Sequence, residues 1–173
     1  GRQVASFDGA TALQYEFPVQ NYINMTQAFT IETYVNVKNS APWGWAQICG
    51  TYNYDSSGNG NDSGFALGTG GPWNSILGTG NAFSISQGTT AGTDSTFGCG
   101  SYNTWSHLVY VHTTSTEALY LNGQLVSSRS VLQGDIPHDP SKGIRIGGYN
   151  LAEQFCAGMD IAYVNIFNSV LCL

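Results

Sequence analysis

Between Ala118 and Ser128 the chain reads ALYLNGQLVSS, two short apolar-polar runs meeting at Asn122-Gly123. Asn-Gly is the favoured pair for a two-residue type I′ turn, because both central residues must take positive φ. The stretch is therefore predicted to be a β-hairpin. The same signature of alternation recurs elsewhere. In FTIETYVNV, residues 29–37, Phe29, Ile31, Val35 and Val37 alternate with Thr30, Glu32, Tyr34 and Asn36. Thr33 is the one polar residue on the apolar side. Period two with β-branched and aromatic side chains specifies a half-buried strand. Phe83–Ser86, His107–His112, Ile144–Ile146 and Asp160–Phe167 carry the same pattern.

No segment shows a helical stripe. Charged residues are only 9% of the chain, and 22 glycines with many Ser, Thr and Asn fill the polar share. That composition suits strands joined by turns and suits poorly a helical protein laced with ion pairs. The expected fold is an all-β antiparallel sandwich of jelly-roll type. At 173 residues the chain is read as one domain over 1–173, with a core that needs no cross-links.

The net charge of -6, with five Lys and Arg, leaves no basic stripe for phosphates. Nucleic acid and anionic membrane are disfavoured as partners. No apolar run is long enough to span a bilayer. Cys49, Cys99, Cys156 and Cys172 form no Cys-x-x-Cys pair, so a zinc ribbon is disfavoured and disulfides are expected. A straight strand over 160–167 carries the chain about 30 Å from Cys156 at about 3.3 Å per residue. The few residues after it reach only halfway back, so Cys49 and Cys99 are each expected to pair with one of the other two. Asn24 and Asn61 stand in glycosylation sequons. With few charges and an even cysteine count, they point to a secreted glycoprotein. The start, Gly1-Arg2-Gln3, reads as that of a processed form or an excised domain.

The order of the pieces carries a resemblance. SFDGATALQY (6–15), AFTIETYVNV (28–37), WAQICG (45–50) and GFALG (64–68) come first. NTWSHLVYVH (103–112), LYLNGQLV (119–126), IRIGGYN (144–150) and AGMDIAYVNIFNSVL (157–171) follow. This succession resembles the laminin-G-like branch of the concanavalin A-like lectin and glucanase superfamily. The resemblance implies a structural calcium between the first and last strands. Its matching carboxylates here are Asp8 and Asp160, with backbone carbonyls completing the shell. It also implies that Trp105, in a Trp-x-His motif, packs in the core.

Enzymatic signals are absent. Glycosidases of this superfamily need two carboxylates held close on one face of a strand. No Asp lies two residues from Glu16, Glu32, Glu117 or Glu153, and Asp135 and Asp139 sit in the turn-rich GDIPHDP. Ser106 and His107 are neighbours on a strand and point to opposite faces, so they make no nucleophile and base pair. His107 is expected to be a hydrogen-bonded structural residue. His112 and His138 are too isolated for zinc.

Recognition of a neutral sugar needs aromatic faces for the C–H surface of the ring and polar groups for its hydroxyls. The aromatics least easily explained as core are those in Gly- and Pro-rich stretches: Trp43, Trp45, Tyr52, Tyr54, Trp73 and Tyr149. Asn150, Asp55, Asn59 and Asp62 are the polar candidates beside them. In NYDSSGNGNDSG, residues 53–64, Asp55, Asn59, Asn61 and Asp62 offer hard oxygen ligands among glycines. A glycan on Asn61 would take that side chain out of any ion's shell. Asp55 and Asp62 are therefore candidates for calcium as well as sugar. The expected function is a calcium-dependent lectin or carbohydrate-binding module for neutral glycans. The alternatives are a calcium-stabilised adhesion domain and, behind it, a glycan-cleaving enzyme.

Overall fold

The computed structural model describes residues 3–9, 15–17, 28–38, 46–51, 64–69, 83–89, 92–97, 100–130, 144–148 and 158–171. Alternation dictates strands, and these residues form twelve of them. They are β1 (Ala5–Asp8), β2 (Tyr15–Phe17), β3 (Phe29–Val37), β4 (Gln47–Gly50), β5 (Gly64–Gly68) and β6 (Ser84–Thr89). β7 (Gly92–Phe97), β8 (Trp105–His112), β9 (Thr116–Leu121), β10 (Gln124–Ser130), β11 (Ile144–Ile146) and β12 (Gly158–Phe167) complete the set. The first sheet runs β1-β12-β3-β8-β9-β10 and the second β2-β11-β4-β5-β6-β7. Every pairing is antiparallel. The fold is the expected jelly-roll β-sandwich.

The hairpin forms where Asn-Gly stands. Asn122 has φ 50° and Gly123 φ 80°, the two positive values a type I′ turn demands. Asn122 also holds the turn with its side chain, Oδ1 accepting from the His107 N–H at 3.0 Å.

The inner faces meet in one cluster. Phe29 of β3 packs at 4.9 Å on Phe65 of β5 and edge-on at 5.7 Å to Tyr110 of β8, so aromatic contacts join the two sheets. Ile31, Val35 and Val37 of β3, Leu108, Leu119, Ile48 and Leu67 surround them, all fully buried. Each such side chain contributes roughly 1.5–3 kcal/mol by leaving water. Phe7 reaches from β1 to the end of β11, where its ring lies so close to Gly147 that a Cβ there would sit 2.1 Å from it. Gly147 also has φ +86°, so the position is closed to other residues twice over.

One ion pair lies in this interior. Glu117 on β9 is fully buried, accepts from the Tyr110 hydroxyl at 3.0 Å and pairs with Arg129 across the hairpin. Thr33, the polar residue on the apolar side of β3, is satisfied by donating to the Tyr163 carbonyl at 2.8 Å.

Two expectations are corrected. Cys49 forms no disulfide: it is a free, wholly buried thiol facing the core from β4, a strand inside the second sheet. Burial pushes its pKa up to about 12, so it remains a neutral apolar side chain. Cys99, Cys156 and Cys172 lie outside the described residues. Trp105 is not in the core. It shares a side of β8 with His107, while Leu108 and Tyr110 take the inner positions, and it lies half-buried on the outer face of the first sheet.

Candidate functional site

Of the residues expected to bind sugar, Trp43, Trp45, Tyr52, Tyr54, Asp55, Asn59, Asp62, Trp73, Tyr149 and Asn150 lie outside the described residues. The strand ends that border them in sequence are described, and they fall into two groups. Thr51 and Gly64, which bound 52–63, sit together, Thr51 N–H donating to the Phe65 carbonyl at 2.8 Å. Ala46, Thr69 and Gly147 sit at the other end of the second sheet. Thr69 N–H donates to the Ala46 carbonyl at 2.7 Å and Gly147 N–H to that of Ile48 at 3.1 Å. At about 3.3 Å per residue the two ends are about 15 Å apart.

Between those ends lies the outer face of β11, β4 and β5. Ile144 and Ile146 enter the core, so Arg145 points the other way. In register beside it stand Gly50 and then Ala66. A bulge after Gln47 turns that residue to the same outer side while Ile48 and Cys49 face the core. A side chain at Gly50 would collide with β5, its Cβ falling 2.3 Å from the Phe65 carbonyl oxygen, so the floor here is flat. Gln47 Nε2 donates to the carbonyls of Gly50 at 2.7 Å and Arg145 at 3.3 Å.

What remains on this face is unmet. Gln47 Oε1 and Arg145 Nε and Nη1 are buried with no hydrogen-bond partner. Gln47 is 0% and Arg145 5% exposed. Leaving a buried donor or acceptor unpaired costs about 1–3 kcal/mol, and more for a charged group. Glu16 of β2 holds the register position opposite Arg145. The chain's composition gives no hint of this arrangement. A lone arginine between two isoleucines reads as the solvent side of a strand, and only the run of small residues in QICG and GFALG signals close cover.

The outer face of the first sheet is satisfied by contrast. Glu32 accepts from Asn165 Nδ2 at 3.0 Å and meets His107 Nε2 at 2.8 Å and the Tyr163 hydroxyl at 3.5 Å. Those bonds, Asn165 first and His107 next, hold its carboxyl below the ordinary range. Beside them Tyr34 stacks on Trp105 at 5.0 Å and on Tyr163 at 6.3 Å. His107 is thus the hydrogen-bonded residue expected, and Ser106 points away from it, buried.

Asp8 and Asp160 lie on paired edge strands and on one face, since Ser6 is opposite Asp160 and Asp8 is two residues on from Ser6. The two carboxylates would supply two corners of a calcium shell. Asp160 Oδ1 already accepts from Lys38 Nζ at 2.7 Å and Ser6 Oγ at 2.6 Å, which hold its pKa down, so an ion here would have to displace Lys38. Among the described residues no group of three or more His, Cys, Asp or Glu converges as a metal site.

Comparison with known proteins extends this picture. No curated protein sequence matches the chain. A Ruminococcus gnavus IT-sialidase CBM40, bound to α2,3 sialyllactose, superposes with a TM-score of 0.70 at 11% identity, over 99% of this chain and 95% of that one. The same CBM40 bound to α2,6 sialyllactose gives a TM-score of 0.68 at the same identity. A Trypanosoma rangeli sialidase, in complex with 2,3-difluorosialic acid, superposes with a TM-score of 0.64 at 16% identity. There the match covers 96% of this chain but only 25% of the sialidase. At such identities the likeness is one of fold. The family model Laminin_G_3 matches residues 8–172, and the chain belongs to that family of the concanavalin A-like lectin/glucanases superfamily.

Proposed function

We propose that the chain is a non-catalytic carbohydrate-binding module acting outside the cell, and that the outer face of β11, β4 and β5 takes the glycan. The observation that carries this reading is the pairing of unmet groups there: an acceptor, Gln47 Oε1, beside donors Nε and Nη1 of Arg145. A sugar hydroxyl is both donor and acceptor, so a pair of them answers both demands at once. The likeness in fold to a CBM40 bound to sialyllactose supports the same class of ligand.

Several carboxylates a glycosidase would need free are already engaged. Glu117 serves Tyr110 and Arg129, Glu32 serves His107, Asn165 and Tyr163, and Asp160 serves Lys38 and Ser6. That supports a binding role over hydrolysis. The large exposed apolar residues Val4, beside β1, and Leu125, on β10, stand toward opposite edges of the first sheet. They make no common patch of the kind an adhesion partner would cover. Calcium belongs to the proposal at Asp8 and Asp160, with Lys38 released from Asp160 when the ion binds. Secretion rests on the sequons and the low charge.

Glycan-array binding of the chain, with calcium and then with EDTA, tests this. We expect binding that Gln47→Ala reduces and that EDTA weakens. Undiminished binding in EDTA would remove calcium from the reading, and no binding in either condition would overturn it.

A further inference from the structure

The sites with unmet chemistry are few, and one is charged. Among the described residues Lys38 is paired with Asp160 and Arg129 with Glu117. Arg145, buried more deeply than Lys38, keeps two of its three nitrogens without a partner. Hydroxyls would satisfy these donors, but a carboxylate satisfies a buried guanidinium better, since charge-assisted bonds are shorter and about twice as strong. Gln47 Oε1, on the same face, cannot serve a carboxylate and instead requires a donor such as a sugar hydroxyl. The two demands together describe one molecule bearing both groups.

We infer that this face reads an acidic sugar, with Arg145 binding the carboxylate and Gln47 Oε1 accepting from a neighbouring hydroxyl. The inference rests on the glycan-binding reading and narrows it, replacing the neutral sugar expected from the scarcity of basic residues. The charge balance sets an upper limit on the ligand. With Glu16 opposite Arg145 in register and a net charge of -6, a polyanion is repelled and a single carboxylate is not. A sialic acid and a uronic acid both present such a group.

Calorimetric titration of the chain with 3′-sialyllactose and with lactose separates charge from sugar. A glucuronate-containing disaccharide and its neutral glucose counterpart distinguish the two sources of carboxylate. At least one acidic ligand is expected to bind ten times or more tighter than its neutral counterpart. Arg145→Gln, checked for folding by its melting curve, is expected to erase that preference. Arg145→Lys keeps the charge but not the planar fork, so it should retain only part of the preference. Equal binding of acidic and neutral sugars, or an unchanged preference in a folded Arg145→Gln, would overturn the inference and leave glycan binding standing. No binding of any of the four sugars would overturn both.

Discussion

Two buried arginine environments separate the sheets of this sandwich. In the first sheet Arg129 meets Glu117, whose other oxygen takes the Tyr110 hydroxyl. In the second, Arg145 is as enclosed but two of its nitrogens go unmet. The strands around them differ in the same way. β3 alternates in exposure along its outer face, while β4 and β5 are buried at every position. A charge whose partner lies within the protein serves the fold, and a charge left wanting inside the protein must be explained by something the protein meets.

The sharpest way to break this contrast is to remove a partner. Glu117→Gln should destabilise the protein by about 3–5 kcal/mol, because it strands Arg129, and urea unfolding measures it. A smaller loss would mean that Arg129 finds solvent easily. His112, buried beside Phe29 at 4.9 Å, comes next. Desolvation lowers its pKa from 6.5 to about 4. The unfolded chain therefore binds a proton that the folded one refuses, and stability falls as pH drops from about 6.5 to 4. The loss reaches at most about 3 kcal/mol at pH 4. His112→Phe should flatten that limb of the pH-stability curve.

Arg145→Gln sharpens the comparison from the other side. It should change unfolding free energy by less than about 1 kcal/mol, since it removes unmet donors, not met ones. A loss as large as that of Glu117→Gln would show that Arg145 is structural. The smallest effect is expected on the exposed edge. Lys38→Met should cost only a few tenths of a kcal/mol, shrinking further in salt, because its pair with Asp160 is solvated.

The fold was legible where alternation was strong. FTIETYVNV gives β3 to the residue, and IRI and GFALG give β11 and β5. β7, GTDSTF, has no alternating apolar set and is a strand because β6 pairs with it. Trp105 was misread because a motif does not state which face of a strand is inner. Register decides that, and it places Trp105 opposite Asn36 on the outer side. Cys49 was misread because parity of cysteines says nothing about their separation in space. The polar pair of the second sheet was invisible for a related reason. Nothing in Ile144-Arg145-Ile146 records that the polar side of the strand is covered too.

The strand order has a consequence in time. β3 lies between β8 and β12, and the bond from Thr33 to Tyr163 joins residues 130 positions apart. Closing such distances makes a β-sandwich slow, in the range of milliseconds to seconds. As the chain emerges in order, the first sheet's most apolar strand must wait, one edge open, until almost the last segment arrives. Its protection in that interval rests on what alternates with its core residues: Glu32 and Asn36, polar groups along an edge that would otherwise pair with a stranger.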